Sequence, residues 1–235
     1  GDSSSNDLKV STVFCINLDR QKYRWTRIKR EFARVRDAHG KALSNRLCRI
    51  SAVNARTEIS LHSQTDVIEA YPLSDQLFVQ PVEALESIDF QSIEDIIMSR
   101  EEVAVALSHI KIWRAIASGD EECALVIEDD VYFESDFSKI LSKAWNELTH
   151  PKSPLSDWDF IYLSYNEVPG GAPKTWVTKS LFKPLTGMWF FSGYIISRRA
   201  AQSLLKSLPL RGPIDLWMNH QFDNMKVYAT SRSII

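Results

Sequence analysis

Residues 101–130 constrain the fold more than any other part of this chain, because they read as one amphipathic helix followed at once by one apolar strand. Val103, Ala106, Leu107, Ile110, Trp113 and Ala117 recur at three- and four-residue steps from Glu101 to Ser118, and Gly119 supplies a stop. Cys123 to Ile127 is then too short and too β-branched for a helix and lacks polar alternation, the pattern of a strand buried on both faces. Glu128-Asp129-Asp130 closes that strand abruptly before apolar residues resume at Val131. Three adjacent carboxylates repel one another and suit a strand poorly, so local structure gives little reason for them. On an extended chain Glu128 and Asp130 point the same way. Two oxygen ligands on one face at a strand end suit a hard divalent cation that holds phosphate. The plainer reading of an acidic triplet alone is a solvated turn.

The same alternation runs along the rest of the chain. Val10 to Leu18 predicts an opening strand, with Asp19 capping a helix to about Val35 whose stripe is Trp25, Ile28, Phe32 and Val35. Cys48 to Val53, Asp157 to Ser164 and Met188 to Ser197 predict further strands, and Asp136 to Leu148, Arg198 to Leu208 and Ile214 to Phe222 further helices. Strands alternating with helices predict an α/β domain with a mostly parallel sheet flanked by helices. The 235 residues suffice for one sizeable core, expected over 10–235. Residues 1–9 look like a disordered lead, and Ala55 to Arg100, without a sustained period, like a long loop or short-helix insertion.

Charge narrows the partners. A net charge of −2 predicts neither nucleic acid nor an anionic membrane surface. The distribution is uneven: eleven Lys or Arg lie between Asp19 and Arg49 against Asp19, Glu31 and Asp37. Such a block is either a solvated helix face or a source of field for an anionic ligand. Cys15, Cys48 and Cys123 lack metal-ligand spacing and read as small, reduced core residues. No apolar run approaches the ~20 residues of a membrane span, and no Asn-x-Ser/Thr sequon occurs. The expectation is a cytoplasmic protein, membrane-peripheral placement and the secretory lumen staying open. Oligomeric state is open too.

Four separated segments carry a resemblance. They are Ile16-Asn17-Leu18-Asp19-Arg20 with Arg24, Glu102 to His109, Val126 to Val131, and Ser192 to Ala200 followed by Pro213-Ile214-Asp215. In this order and approximate spacing they resemble glycosyltransferase family 25, the lipooligosaccharide and collagen hydroxylysine galactosyltransferases. The resemblance covers nearly the whole chain. It implies a GT-A type, Rossmann-like fold, a UDP-sugar donor (most often UDP-galactose), Mn²⁺ or Mg²⁺, and inversion at the anomeric carbon. Glu101 and Ala104 depart from it, standing where members often carry glycine.

The resemblance also implies roles. Asp130 would contact the metal, with Glu128 as a second candidate ligand, and Glu128 and Asp129 would otherwise meet the ribose or the metal's waters. Asn17, Asp19, Arg20 and Arg24 would lie near the nucleotide, an Arg pairing with the diphosphate; Asp19 is equally a helix cap. Ser108 and His109 would shape the donor pocket or simply pack, and Gly193 would allow a close approach. Asp215 is the first candidate for the base that takes the acceptor proton, and equally a capping Asp after Pro213. Glu167 and Asp159 are the runners-up. His220 is a candidate metal ligand by analogy with other GT-A enzymes. Trp176, Trp189, Phe190, Phe191 and Tyr194 are candidate sugar-stacking rings or core. The expected function is metal-dependent transfer of a sugar to a glycan or glycosylated protein. The alternative is a catalytically silent glycan- or protein-binding module on the same fold. A phosphate-loop nucleotide site is excluded, since no Gly-rich strand–helix turn with Lys-Ser/Thr appears.

Overall fold

The computed structural model describes residues 10–36, 40–59, 65–79 and 94–235. From the N-terminus the elements are β1 (Val13–Asn17), α1 (Lys22–Arg34), β2 (Leu47–Ser51), β3 (Val67–Ile68), β4 (Ala70–Tyr71), α2 (Leu73–Phe78) and β5 (Ile96–Ile97). There follow α3 (Arg100–Ser118), β6 (Cys123–Glu128), α4 (Phe137–Thr149), β7 (Phe160–Glu167), β8 (Lys174–Trp176) and β9 (Leu181–Pro184). The chain continues with β10 (Met188–Ser197), α5 (Arg198–Lys206), β11 (Leu210–Arg211), α6 (Ile214–Asn219) and β12 (Val227–Thr230).

Eight of these strands form one sheet in the order β2-β1-β6-β10-β7-β12-β9-β8. β2, β1 and β6 run parallel, β10 is antiparallel to both β6 and β7, and β12 is parallel to β7. β9 is antiparallel to both β12 and β8, so six strands share one direction, with β10 reversed between β6 and β7 and β9 reversed between β12 and β8. This is the helix-flanked, mostly parallel α/β sheet that the sequence predicts for a GT-A-like fold.

Strand periodicity divides the core into two layers. Ala124 and Val126 pack with Ile110 and Trp113 of α3 and Leu204 of α5. Leu125 and Ile127 pack on the opposite face, with Ile28 and Phe32 of α1 and Leu141 and Trp145 of α4. Successive side chains point to opposite faces, so a strand covered on both sides must be apolar throughout. Burying each Leu, Ile or Val contributes about 1.5–3 kcal/mol. Truncating Ile127 to Ala would cost about 2–5 kcal/mol, because the cavity left behind adds to the lost transfer energy.

The long helix α3 starts with a reciprocal cap. The Glu102 backbone N–H donates to Ser99 Oγ at 3.1 Å, and Ser99 N–H donates to Glu102 Oε1 at 2.9 Å. The α1 start differs from expectation: its cap residue is Gln21, and Asp19 turns away from the helix. Cys15 and Cys123 are buried as expected, whereas Cys48 is exposed on β2; burial raises the Cys123 thiol to about 12. Strands β8, β9 and β12 have no counterpart in the sequence reading. Within Ala55–Arg100 the described residues form β3, paired with β11, the β4–β5 pair, and α2. The lead at 1–9, residues 60–64 and residues 80–93 lie outside the described residues. Among the described residues no helix is long and apolar enough to cross a membrane.

Candidate active site

Parallel strands β1 and β6 end at the same edge of the sheet, with Ile16 opposite Glu128. Ligands of open α/β sheets bind outside the carboxyl ends of such strands. The acidic triplet divides there. Asp129 is buried, and its Oδ2 accepts a hydrogen bond from Asn17 Nδ2 at 2.7 Å. The Arg24 guanidinium stands 3.6 Å from its other oxygen. Arg27 donates to the carbonyls of Asp129 at 2.6 Å and Val131 at 3.0 Å. Glu31 accepts from the Phe133 N–H at 2.9 Å. Part of the basic face of α1 therefore clamps the strand exit, which local repulsion alone would loosen.

Glu128 is held from behind by a chain of buried polar groups. Trp113 Nε1–H donates to Tyr194 Oη at 3.0 Å, and that hydroxyl lies 2.7 Å from His109 Nδ1. His109 Nε2 lies 3.3 Å from Glu128 Oε1. One assignment satisfies every partner: the tyrosine hydroxyl donates to Nδ1, and Nε2–H donates to the carboxylate. His109, Trp113 and Tyr194 are fully buried, so each group left unpaired would cost about 1–3 kcal/mol. His109 thus orients Glu128 from inside the core.

Two cavities adjoin across a wall made by Glu101, Val105, Glu128 and Asp130. The smaller, about 460 Å³, is bordered by Arg20, Arg24, Arg56, Ala52 and Ser108. Ser108 Oγ accepts from the Val53 N–H at 2.9 Å and donates to the Ala104 carbonyl at 2.8 Å, tying the exit of β2 to α3. The larger, about 690 Å³, is bordered by Tyr132, Glu134, Phe190, Ser192 and Asp215. Asp215 sits in the first turn of α6 and accepts N–H groups from Phe190 at 3.2 Å and Leu216 at 3.1 Å. Burial raises its pKa above the ordinary carboxylate value against the pull of those two N–H groups. Phe190 has φ 71°, in the left-handed region that costs a bulky residue about 1–3 kcal/mol.

The structure thus gathers Arg20, Arg24, Ser108, Glu128, Asp129, Asp130 and Asp215 around the two cavities, with Asn17 and His109 directly behind. It places the other candidates elsewhere. Asp19 is exposed, bonded to Arg49 and to Ser51 Oγ. Glu167 pairs with Lys174 and accepts the Ala172 N–H at 3.1 Å. Asp159 accepts from Arg199 at 3.0 and 2.9 Å and from the Lys226 N–H at 2.9 Å. His220 Nε2 lies 3.7 Å from Asp75, its ring stacked on Phe78 at 4.3 Å. At Gly193 a Cβ would stand 2.8 Å from Ile235 Cδ1 and 3.2 Å from Ser164 Cβ, so the close approach there is internal packing. Sequence reasoning missed Arg56, Tyr132 and Glu134, and noted Glu101 only as a departure. Tyr132 had a usable signal, an aromatic two residues beyond the triplet; Arg56 had none.

The family model for glycosyltransferase family 25 (LPS biosynthesis protein) matches residues 10–218. Procollagen galactosyltransferase 1 of Danio rerio is 34% identical over 122 residues, 50% of this chain and 20% of that protein. Procollagen galactosyltransferase 2 of Homo sapiens is 30% identical over 146 residues, 58% of this chain and 23% of its own length. A Bos taurus relative described as a probable inactive glycosyltransferase 25 family member 3 is 33% identical over 129 residues, 54% of this chain and 21% of its own length. The aligned stretch is thus about a fifth of each of these relatives. With its strand-end carboxylates, two-cavity cleft and a family match over most of its length, the chain belongs to glycosyltransferase family 25.

Proposed function

We propose that this chain transfers galactose from UDP-galactose to a hydroxyl of a glycan or glycosylated protein, with inversion at the anomeric carbon. The observation that carries the proposal is the pair of cavities that adjoin at a carboxylate wall, one of them bordered by arginines. Arg20, Arg24 and Arg56 border one; Glu128 and Asp130 stand in the shared wall; the half-buried Asp215 borders the other. Guanidinium groups match diphosphate oxygens in geometry and charge.

The wall residues fit a hard cation such as Mn²⁺ or Mg²⁺. Glu128 and Asp130 offer carboxylate oxygens, and among the described residues no group of three or more metal-ligating side chains forms. That sparse set is what these cations take when phosphates and waters complete the shell. Glu128 and Asp130 would hold the cation, which would supply Lewis-acid stabilisation of the departing phosphate oxygen. The chain's own residues do the rest. His109 holds the Glu128 carboxylate in place. Asp215 accepts the acceptor's hydroxyl proton as that oxygen bonds to the anomeric carbon and the bond to the β-phosphate breaks, releasing UDP. A carboxylate whose pKa is raised by burial is a stronger base than one in water.

The names of the relatives make procollagen the first protein acceptor to assay, beside oligosaccharides. The test is thermal stabilisation by UDP and UDP-galactose with Mn²⁺ and with EDTA, followed by UDP release on adding acceptor. A ligand at a hundredfold excess over its Kd stabilises by about 2.7 kcal/mol. Mn²⁺-dependent stabilisation with turnover supports the proposal. The relative described as probably inactive favours one second reading, a silent binding module on this fold. Binding without turnover on any acceptor would select it, and no nucleotide binding at all would remove the donor site.

A further inference from the structure

Phe190 is held in a left-handed backbone conformation that is strained for a bulky residue. Its pairing partner β7 loses register between Trp189 and Gly193, a bulge that re-aims the intervening side chains. The bulge separates two neighbours sharply. Phe191 is buried, stacked on Phe160 at 5.6 Å and edge-on to His109 at 4.9 Å, whereas Phe190 is 55% exposed. A left-handed backbone and the Asp215 carboxylate on its N–H together hold Phe190 in place. The result is an aromatic face opened onto the 690 Å³ cavity.

A second ring is pinned in the same cavity by independent means. Tyr132 is 65% exposed, and the Arg27 guanidinium sits 4.1 Å from its ring centroid. The other sequence candidates differ: Tyr194 and Phe191 are core, and exposed Trp176 lies on β8 at the far edge of the sheet. Two fixed apolar faces in a cavity otherwise rich in carboxylates match one ligand chemistry. A pyranose ring offers an apolar C–H face to an aromatic and hydroxyl donors to carboxylates.

We propose that Phe190 is the stacking platform for a pyranose ring in this cavity, with Tyr132 as a second aromatic wall. The inference deepens the glycosyltransferase reading and rests on it. The sugar comes either from the donor or from the acceptor, and the probes separate the two.

Saturation-transfer NMR would be recorded with UDP, UDP-galactose and methyl β-galactoside on wild type, Phe190→Ala, Phe190→Gly and Phe190→Trp. Wild type and Phe190→Trp should saturate the galactose C–H protons, and the Ala and Gly variants should lose that signal while uracil signals persist. Loss confined to UDP-galactose, with its affinity falling about 5- to 10-fold toward that of UDP, assigns the platform to the donor sugar. Loss with methyl β-galactoside assigns it to an acceptor sugar. Glycine adopts φ 71° freely, so Phe190→Gly should keep the wild-type Tm within a few degrees. Unchanged galactose signals in Phe190→Ala, or none in wild type, would overturn the platform. A large fall in Tm for Phe190→Gly would overturn it too, by showing that packing holds the ring. Missing uracil saturation in wild type would strike the donor site instead, and the galactoside arm still decides the platform.

Discussion

The two cavities share a carboxylate wall and differ in the cationic side chains that face it. The smaller sets Arg20, Arg24 and Arg56 against Glu101, Glu128, Asp129 and Asp130. The larger has six carboxylates, from Glu101, Glu102, Glu128, Asp130, Glu134 and Asp215, and among the described residues no Lys, Arg or His lines it. A nucleotide sugar laid across the wall is oriented by that contrast. Its phosphates find guanidinium partners on the smaller side, while its hydroxyls find acceptors on the carboxylates of the larger. Both are assembled from segments distant in sequence. The arginine side takes the exits of β1, β2 and β6 with α1 and α3, and the carboxylate side takes the start of α3, the β6 exit, the β10 bulge and the start of α6.

Breaking the shared wall should have the largest effect. Asp130→Ala is expected to abolish Mn²⁺-dependent stabilisation by UDP, and turnover with it, while the Tm of the unliganded protein stays near wild type. Persistence of the Mn²⁺-dependent shift would remove Asp130 from the wall's function.

Next comes the carboxylate side alone. Asp215→Asn should lower kcat by roughly 10²- to 10⁴-fold, the range for one general base, and leave UDP affinity unchanged. The raised pKa of Asp215 adds a pH signature. Its folded form holds the proton more tightly than its unfolded form. Its favourable contribution is therefore full below about pH 3.9, the ordinary value, and is lost as pH rises through the folded value. Asp215→Asn should accordingly gain stability relative to wild type on going from pH 3 to pH 7, measured as the difference in Tm. Parallel Tm profiles for the two proteins would contradict the burial of this group. Wild-type kcat should fall with acid through the same raised value.

Tyr194→Phe probes the support of the wall. It leaves Trp113 Nε1–H and His109 Nδ1 without their partner, at a cost of about 1–3 kcal/mol in urea unfolding. If His109 also steers Glu128, His109→Gln, which keeps a donor near Nε2, should retain more turnover than His109→Asn. Equal loss in both would reduce His109 to packing. The smallest effect is expected on the arginine side. Arg24 is half exposed, 3.6 Å from Asp129, so the pair itself contributes up to about 1 kcal/mol. Arg24→Ala should weaken UDP several-fold at low salt and less at high salt. Salt-independent loss would mean that Arg24 acts through Asp129 and the fold.

Wherever a residue's neighbours lie close in sequence, the expectation matched the structure closely. The stripe of α3 and the apolar run of β6 follow from local spacing, because burial imposes the helical and strand periods directly. The divergence of Asp129 from Glu128 and Asp130 follows the strand alternation in the same way. Asp19 was open between a cap and a nucleotide contact; its partners Arg49 and Ser51 lie on β2, and no local pattern announces that pairing. His220 turns to Asp75 and Phe78, residues in a stretch with no readable period.

By itself, then, the sequence determined the α/β alternation, the carboxylates at the end of β6 and the family to which they belong, since hydrophobic period and motif order are local properties. Tertiary structure alone decided that β10 enters reversed and bulged, exposing Phe190, that His109 reaches Glu128 through the core, and that Gly193 makes room for Ile235. Each of these depends on contacts between residues far apart along the chain, and such pairings are settled by packing and hydrogen-bond satisfaction rather than by any pattern within a segment.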